Sequence, residues 1–213
     1  MRIYTLLWVI DNLVSVIFSR TDNSSQNLPE EIKTVTEEKY YEVMSRIIDF
    51  RTKILFSVDA EIILSASDIN ATFKFHYDNY SSRTLKDKAF DVLYFFDVEE
   101  GEIIMYEASL FLIFGFRPLF VKKKLKFELI NGEIHEFKKT INFFGSEIKS
   151  DKYVLVKNEF STSLIYRILT SPESNSVDSC KKSTIASSRV IAEPLIKKIK
   201  LIRISDKNLI LTA

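Results

Sequence analysis

The sequence is short of the residues that most often carry chemistry. Cys180 is the only cysteine, which excludes an internal disulfide and a thiolate metal site. Histidine occurs twice, as His76 and His135. An acid–base or metal site at either would need carboxylates brought in by the fold, and exposed or hydrogen-bonded histidines are the commoner outcome. The formal net charge is only +1, which argues against a polyanionic partner such as nucleic acid. There is no glycine-rich phosphate loop, no nucleophile elbow around the serines and no internal repeat. Ile3–Phe18 is the longest mostly apolar stretch near the amino terminus. It is short for a membrane span and carries Asp11-Asn12 in its middle.

What is present is enough apolar material for a core. Hydrophobic residues make up 46% and aromatic residues 13% of the 213 positions. The four glycines all lie between Gly101 and Gly145, so turn chemistry is concentrated in one region. That region reads as an antiparallel meander. In Leu119–Asn131, Leu119, Val121, Leu125, Phe127 and Leu129 alternate with Lys122, Lys124, Lys126 and Glu128, the pattern of a strand with one dry and one wet face. Lys123 breaks the dry face, from which its stem can snorkel. Asn131-Gly132 suits a type I′ turn, after which Ile134–Phe144 returns with poorer alternation around Lys139. Upstream, Phe90–Val98 and Ile103–Phe114 form a hairpin across Glu99–Glu102, and Gly115 and Pro118 are expected to interrupt the pairing.

The flanks read as helices and a closing hairpin. A helix is expected from about Pro29 to Leu55, with Glu30-Glu31 at its positive end and Ile32, Val35, Tyr40, Val43, Ile47 and Ile54 on one face. A strand within Ile54–Leu64 is an alternative to its last turns. Ser65–Tyr77 is expected to be a short helix capped by Ser65 or Ser67, with Asp68 supporting its start and Asn70 tying down a neighbouring loop. Further on, Tyr153–Val156 reads as a short strand, Glu159–Leu169 as a helix, and Ile199–Ser205 with Asn208–Thr212 as a hairpin around Asp206-Lys207. The domain reading is therefore a segment 1–28, either a signal- or anchor-like stretch or a peripheral amphipathic helix, with a linker. One α+β domain follows over 29–213, with a mobile loop at about 171–188. Its fold class is α+β: amino-terminal helices packed on one curved antiparallel sheet, with a closing carboxy-terminal hairpin.

Three features together resemble a group of bacterial signal-anchored envelope domains of unknown function. They are Leu64-Ser65-Ala66-Ser67-Asp68-Ile69-Asn70-Ala71-Thr72-Phe73, the meander framed by glycines after it, and the end from Ile199 to Leu211. Asn208 stands where a glycine is usual in that group. Some of these domains are similar to tubular lipid-binding proteins, in which a curved sheet wraps a helix beside an apolar groove. The resemblance implies a non-enzymatic domain of the cell envelope that is membrane-associated and binds a lipid or another apolar ligand. The alternatives are a structural or protein-interaction module with a filled core, and a cytoplasmic location. The run Leu110–Phe114, apolar on both faces, places Phe96, Leu112 and Phe114 as candidate lining of an apolar pocket. Lys122, Lys124 and Lys126, with Lys138 near them, form a candidate stripe toward an anionic membrane surface, against the plainer reading of a solvated sheet face. No catalytic residue, cofactor or metal ligand is expected.

Overall fold

Thr36 starts the first helix. Its backbone is extended and its hydroxyl accepts the Lys39 N–H at 3.2 Å, so α1 spans Glu37–Leu55 and begins later than the expected Pro29. The computed structural model describes residues 35–74, 77, 92–111, 117–143, 146–147, 152–155, 163–174, 190 and 192–213. The expected terminal segment 1–28 and the part of the expected loop from 175 to 188 lie outside these residues. Val43, Met44, Ile47, Phe50 and Ile54 fall on one face of α1 and are buried. At its other end the Lys198 ammonium donates to the carbonyls of Ile54 and Leu55, complementing the negative pole of the helix.

The chain turns through Ser57 into β1 (Glu61–Ser65) and directly into α2 (Ala66–Ala71). Ser65 is the cap: its hydroxyl accepts the Asp68 N–H while the Asp68 carboxylate accepts the Ser65 N–H at 2.9 Å, a reciprocal capping box. Asp68 does more than cap. Lys39 lies 2.7 Å and Arg46 3.3 Å from its carboxylate oxygens, so two cations of α1 hold the start of α2. α2 ends at Ala71, short of the expected Tyr77; Ile69 within it and Phe73 and Tyr77 beyond it are buried.

The meander comprises β2 (Val92–Glu99), β3 (Glu102–Phe111), β4 (Arg117–Ile130) and β5 (Glu133–Phe143), each antiparallel to the next. Two short strands, β6 (Ser146–Glu147) and β7 (Val154–Leu155), pair with β5. Asn131 and Gly132 both take positive φ, 54° and 78°, as the turn between β4 and β5 requires. Pro118 does not interrupt the ladder with β3 as expected but lies in β4 opposite Leu110, and Gly115 lies outside the described residues; a register shift falls in the β4–β5 ladder, between Lys122 and Lys123. A helix, α3 (Leu164–Ser174), then crosses back to α1. It continues through Pro172, where a loop was expected, because the buried Ser171 hydroxyl donates to Ile168 O and sits 3.4 Å from Met44 Sδ on α1.

The fold is α+β with antiparallel sheets, as expected, but the closing hairpin does not extend the meander. β8 (Leu201–Ser205) and β9 (Asn208–Thr212) form a second sheet with β1, in the order β1–β9–β8. The strand begun at Glu61 supplies a partner that the repetitive apolar alternation of β9 had left unspecified. One apolar cluster joins both sheets and the helices, with Leu64, Leu209 and Leu211 from the small sheet, Val98, Ile103 and Leu125 from the meander, and Ile165 and Ile168 from α3. Burial of each such side chain contributes about 1.5–3 kcal/mol.

One edge of the meander is closed by side chains. The Asn70 amide donates to Phe96 O and accepts the Phe96 N–H, both at 2.8 Å. The Tyr77 hydroxyl donates to Tyr94 O at 2.6 Å, and Asp97 accepts the Val98 N–H at 2.8 Å. These contacts satisfy Phe96 N–H and C=O, Tyr94 C=O and Val98 N–H on the edge of β2 without another strand.

Three expectations follow. Asn70→Ala leaves a buried N–H and C=O of Phe96 without partners and should lower unfolding stability by about 2–3 kcal/mol, measured by urea denaturation. An unchanged midpoint would contradict the edge assignment. Lys207→Gly should be stabilising by about 1 kcal/mol, because Lys207 holds a φ of 59° in the two-residue turn between β8 and β9; thermal melts report it. The third concerns pH. Burial by itself would raise the Asp68 carboxyl, but Lys39, Ser65 and Arg46 outweigh it and hold the group below its ordinary value of 3.8. Its contribution is therefore present above that value and lost as pH falls through the lower folded one. Asp68→Asn should cost about 1–3 kcal/mol at neutral pH and flatten the fall in stability below about pH 4, read from denaturation series across pH.

Candidate functional site

Period-two alternation sorts the meander into two faces with different chemistry. Phe96, Met105 and Lys123 lie opposite one another across three strands, and Leu125 lies opposite Lys138, so these residues share the face turned to the helices. Between this face and α3 is a partly open cavity of about 230 Å³. Phe73, Tyr94, Phe96 and Met105 supply its apolar walls. Phe73 and Phe96 pack with ring centroids 5.0 Å apart. The remaining wall is charged: Glu107 from β3, Lys123 from β4, Glu136 and Lys138 from β5, and Arg167 from α3.

The charges are organised in pairs. Lys123 Nζ lies 2.6 Å from Glu107 Oε1. Glu136 is buried; its Oε2 accepts the Leu164 N–H at 2.8 Å, so the carboxylate caps the first turn of α3. Its Oε1 lies 3.3 Å from Lys138 Nζ, an ion-pair distance without hydrogen-bond geometry, and accepts no hydrogen bond. Arg167 sits one turn into α3, with its guanidinium carbon 5.2 Å from the centre of the Tyr94 ring and 5.8 Å from that of Phe73. Burial depresses the Arg167 pKa, against the opposing pull of Tyr94 and Glu136, and a guanidinium remains charged through such shifts. Burial and the nearby Glu107 push the Tyr94 hydroxyl up, so Tyr94 is neutral and offers a ring face.

The other face of the meander carries the lysine stripe. Lys122 Nζ is 5.5 Å from the centre of the Tyr106 ring, which itself stacks on Phe95 at 4.4 Å. Lys124 and Lys126 converge on Glu102, at 2.5 Å and 3.5 Å. Tyr153 donates its hydroxyl to Glu102, and its ring receives Lys126 at 4.7 Å and Lys139 at 5.9 Å. Burial raises the Glu102 carboxyl less than Lys124, Tyr153 and Lys126 together lower it, so the group stays below the usual carboxylate range. The stripe is thus an ion-pair and cation–π lattice laid across the strands.

Of the residues singled out from the sequence, Phe96 lines the cavity, while Leu112 and Phe114 lie outside the described residues. Lys122, Lys124 and Lys126 are on the opposite face from the cavity, so the structure does not bring stripe and pocket together. Lys138 does not extend the stripe as expected. The register pairs Lys124 with Lys139 and turns Lys138 to the cavity side with Leu125. His135 is half-buried on β5 opposite Glu128, and His76 lies outside the described residues. Sequence reasoning passed over Glu107, Glu136 and Arg167. The available signal was charge in the wrong register: Lys123 on an otherwise dry face, and the broken alternation of β5. Among the described residues, no group of three or more His, Cys, Asp and Glu side chains is placed to hold a metal ion. Among the same residues, no helix is long and apolar enough to cross a membrane. No protein-family model, no curated protein and no solved structure matches the chain.

Proposed function

We propose that the chain is a non-enzymatic binding domain that takes a small apolar or amphipathic ligand between the meander and α3. The observation that carries this reading is the cavity itself, with Phe73, Tyr94, Phe96 and Met105 on one side and a cluster of ionisable side chains on the other. An apolar floor with a few convergent polar groups is the usual composition of a ligand site. Size limits the ligand. The volume of about 230 Å³ exceeds the roughly 150 Å³ that admits benzene and falls below the roughly 300–1,000 Å³ of drug-sized pockets. A single substituted ring or a short acyl chain suits it. In this reading the cellular setting is the envelope, on the strength of the resemblance at Leu64–Phe73 and Ile199–Leu211.

The three methionines supply the test. Met105 lines the cavity and Met44 lies in the contact between α1 and α3. In protein labelled at the methionine methyls, titration with toluene, benzyl alcohol, benzoate, hexanol and hexanoate should shift the Met105 signal saturably and leave Met44 in place. If no probe moves Met105 at millimolar concentration, the binding reading is overturned. The interaction-module reading then leads, supported by the exposed stripe of Tyr41, Ile48 and Leu55 at seven-residue spacing on α1.

A further inference from the structure

The solvent side of α1 carries an uncharged row. Tyr41, Ile48 and Leu55 recur every seven residues and are each half or more exposed, and the exposed Ser45 and Thr52 fill the positions between them. Large and small side chains thus alternate at intervals of four and three, the pattern of a helix–helix seam. Thr52 donates its hydroxyl to Ile48 O at 2.8 Å, so it brings no unmet donor to that seam. Phe56, 78% exposed, extends the row past the end of the helix. In size the row reads the same in both directions about Ile48. Along its edge run Glu42, Arg46, Asp49 and Lys53, whose signs alternate. Reversal exchanges those signs about a centre between Ile47 and Ile48. An antiparallel pair of α1 helices centred there sets Glu42 against the partner's Lys53 and Arg46 against the partner's Asp49. A parallel pair sets each charge against its own kind.

We propose that the occupant of this row is a second copy of the chain, docked antiparallel through α1 in a twofold-symmetric dimer. Ile48 packs on the partner's Ile48 at the axis, and Leu55 and Phe56 meet the partner's Tyr41 at each end. Identical helices in this arrangement share one self-complementary patch, the closed symmetry of most homodimers. Within one chain Glu42 lies 3.5 Å from Arg46 and Asp49 2.7 Å from Lys53, so re-pairing across the axis sets orientation more than affinity. Side chains this exposed make an apolar patch within the roughly 300–600 Å² that is often functional on a monomer. Two such patches with their flanking charges approach the roughly 1,200 Å² lower bound of a stable interface, so the dimer is weak and reversible. The cavity takes no residue of α1, so the proposal goes beyond the binding reading and does not rest on it.

Sedimentation equilibrium of the full chain, from micromolar to millimolar concentration, tests this. The wild type should show a reversible monomer–dimer equilibrium. Ile48→Glu places two carboxylates at the axis and should leave a monomer at every concentration. Its melting temperature should stay near that of the dilute wild type, because position 48 is half exposed. Lys53→Glu should weaken the dimer several-fold, and adding Glu42→Lys should restore it, since the two positions meet only in the antiparallel pair. Both are exposed side chains, so these variants keep the test open if Ile48→Glu fails to fold. A wild type that is monomeric throughout overturns the proposal, as does a dimer that persists in Ile48→Glu or a double variant without restoration. Trp8, the only tryptophan, reports the rival occupant within the chain. If the wild type is monomeric and Ile48→Glu shifts the Trp8 emission, residues 1–28 cover the row in cis and the proposal falls.

Discussion

The edge of β2 is the constraint on which the rest of the molecule depends. An edge strand exposes a row of unpaired N–H and C=O groups, and burying them without partners is costly. Here Asn70 meets Phe96 as another strand would, through one donor and one acceptor, while Tyr77 takes the carbonyl of Tyr94. Asn70 can do so only because α2 is held in place, and α2 is held by its cap. The cap residue Asp68 is in turn gripped by Lys39 and Arg46 of α1. Arg46 also donates to Ile63 O, on an outer strand of the second sheet. A single polar chain thus runs from α1 through α2 to the meander and links both sheets. It orders the strand whose Tyr94 and Phe96 side chains form the wall of the cavity.

That cavity is an unusual use of the inner face of a sheet. An all-apolar inner face would pack against α3 with no charge to desolvate. This chain places Glu107, Lys123, Glu136 and Lys138 there instead, and α3 adds Arg167, which rests against Tyr94 and Phe73. Buried ion pairs are weak evidence for stability, since desolvation offsets much of the attraction. Glu136 is the exception with an evident structural task, because it caps α3. On the outer face, Glu102 and Tyr153 gather Lys124, Lys126 and Lys139 into contacts that also dress the sheet surface.

Local chemistry was legible in the sequence wherever the deciding interactions were local. The Asn131-Gly132 turn, the capping role of Ser65 with Asp68, the meander strands and the hairpin around Asp206-Lys207 follow from residues a few positions apart. So does the buried face of α1, whose period is written in Val43, Ile47 and Ile54. Asn70 was recognisable as a tether but not its target, since its partner lies 26 positions away. The closing hairpin was recognisable as a pair of strands, but not its partner: any apolar strand matches β9 in pattern, and only the path of the chain after α1 brings β1 beside it.

By itself the sequence determined the class of fold, the turns, the helix cap and the alternation of each strand, because backbone preference and side-chain period act over a few residues. Only the tertiary structure decided which face each charge occupies and what it meets there. Pairing outward from the Asn131-Gly132 turn sets Lys138 opposite Leu125 and Lys139 opposite Lys124, and the docking of α3 on Glu136 decides which of these two faces is covered. Arg167 becomes a cavity residue because Glu136, 28 positions before Leu164, anchors the first turn of its helix. Pairing register and helix docking are set by the sum of contacts between distant segments, and no local window of residues contains that sum.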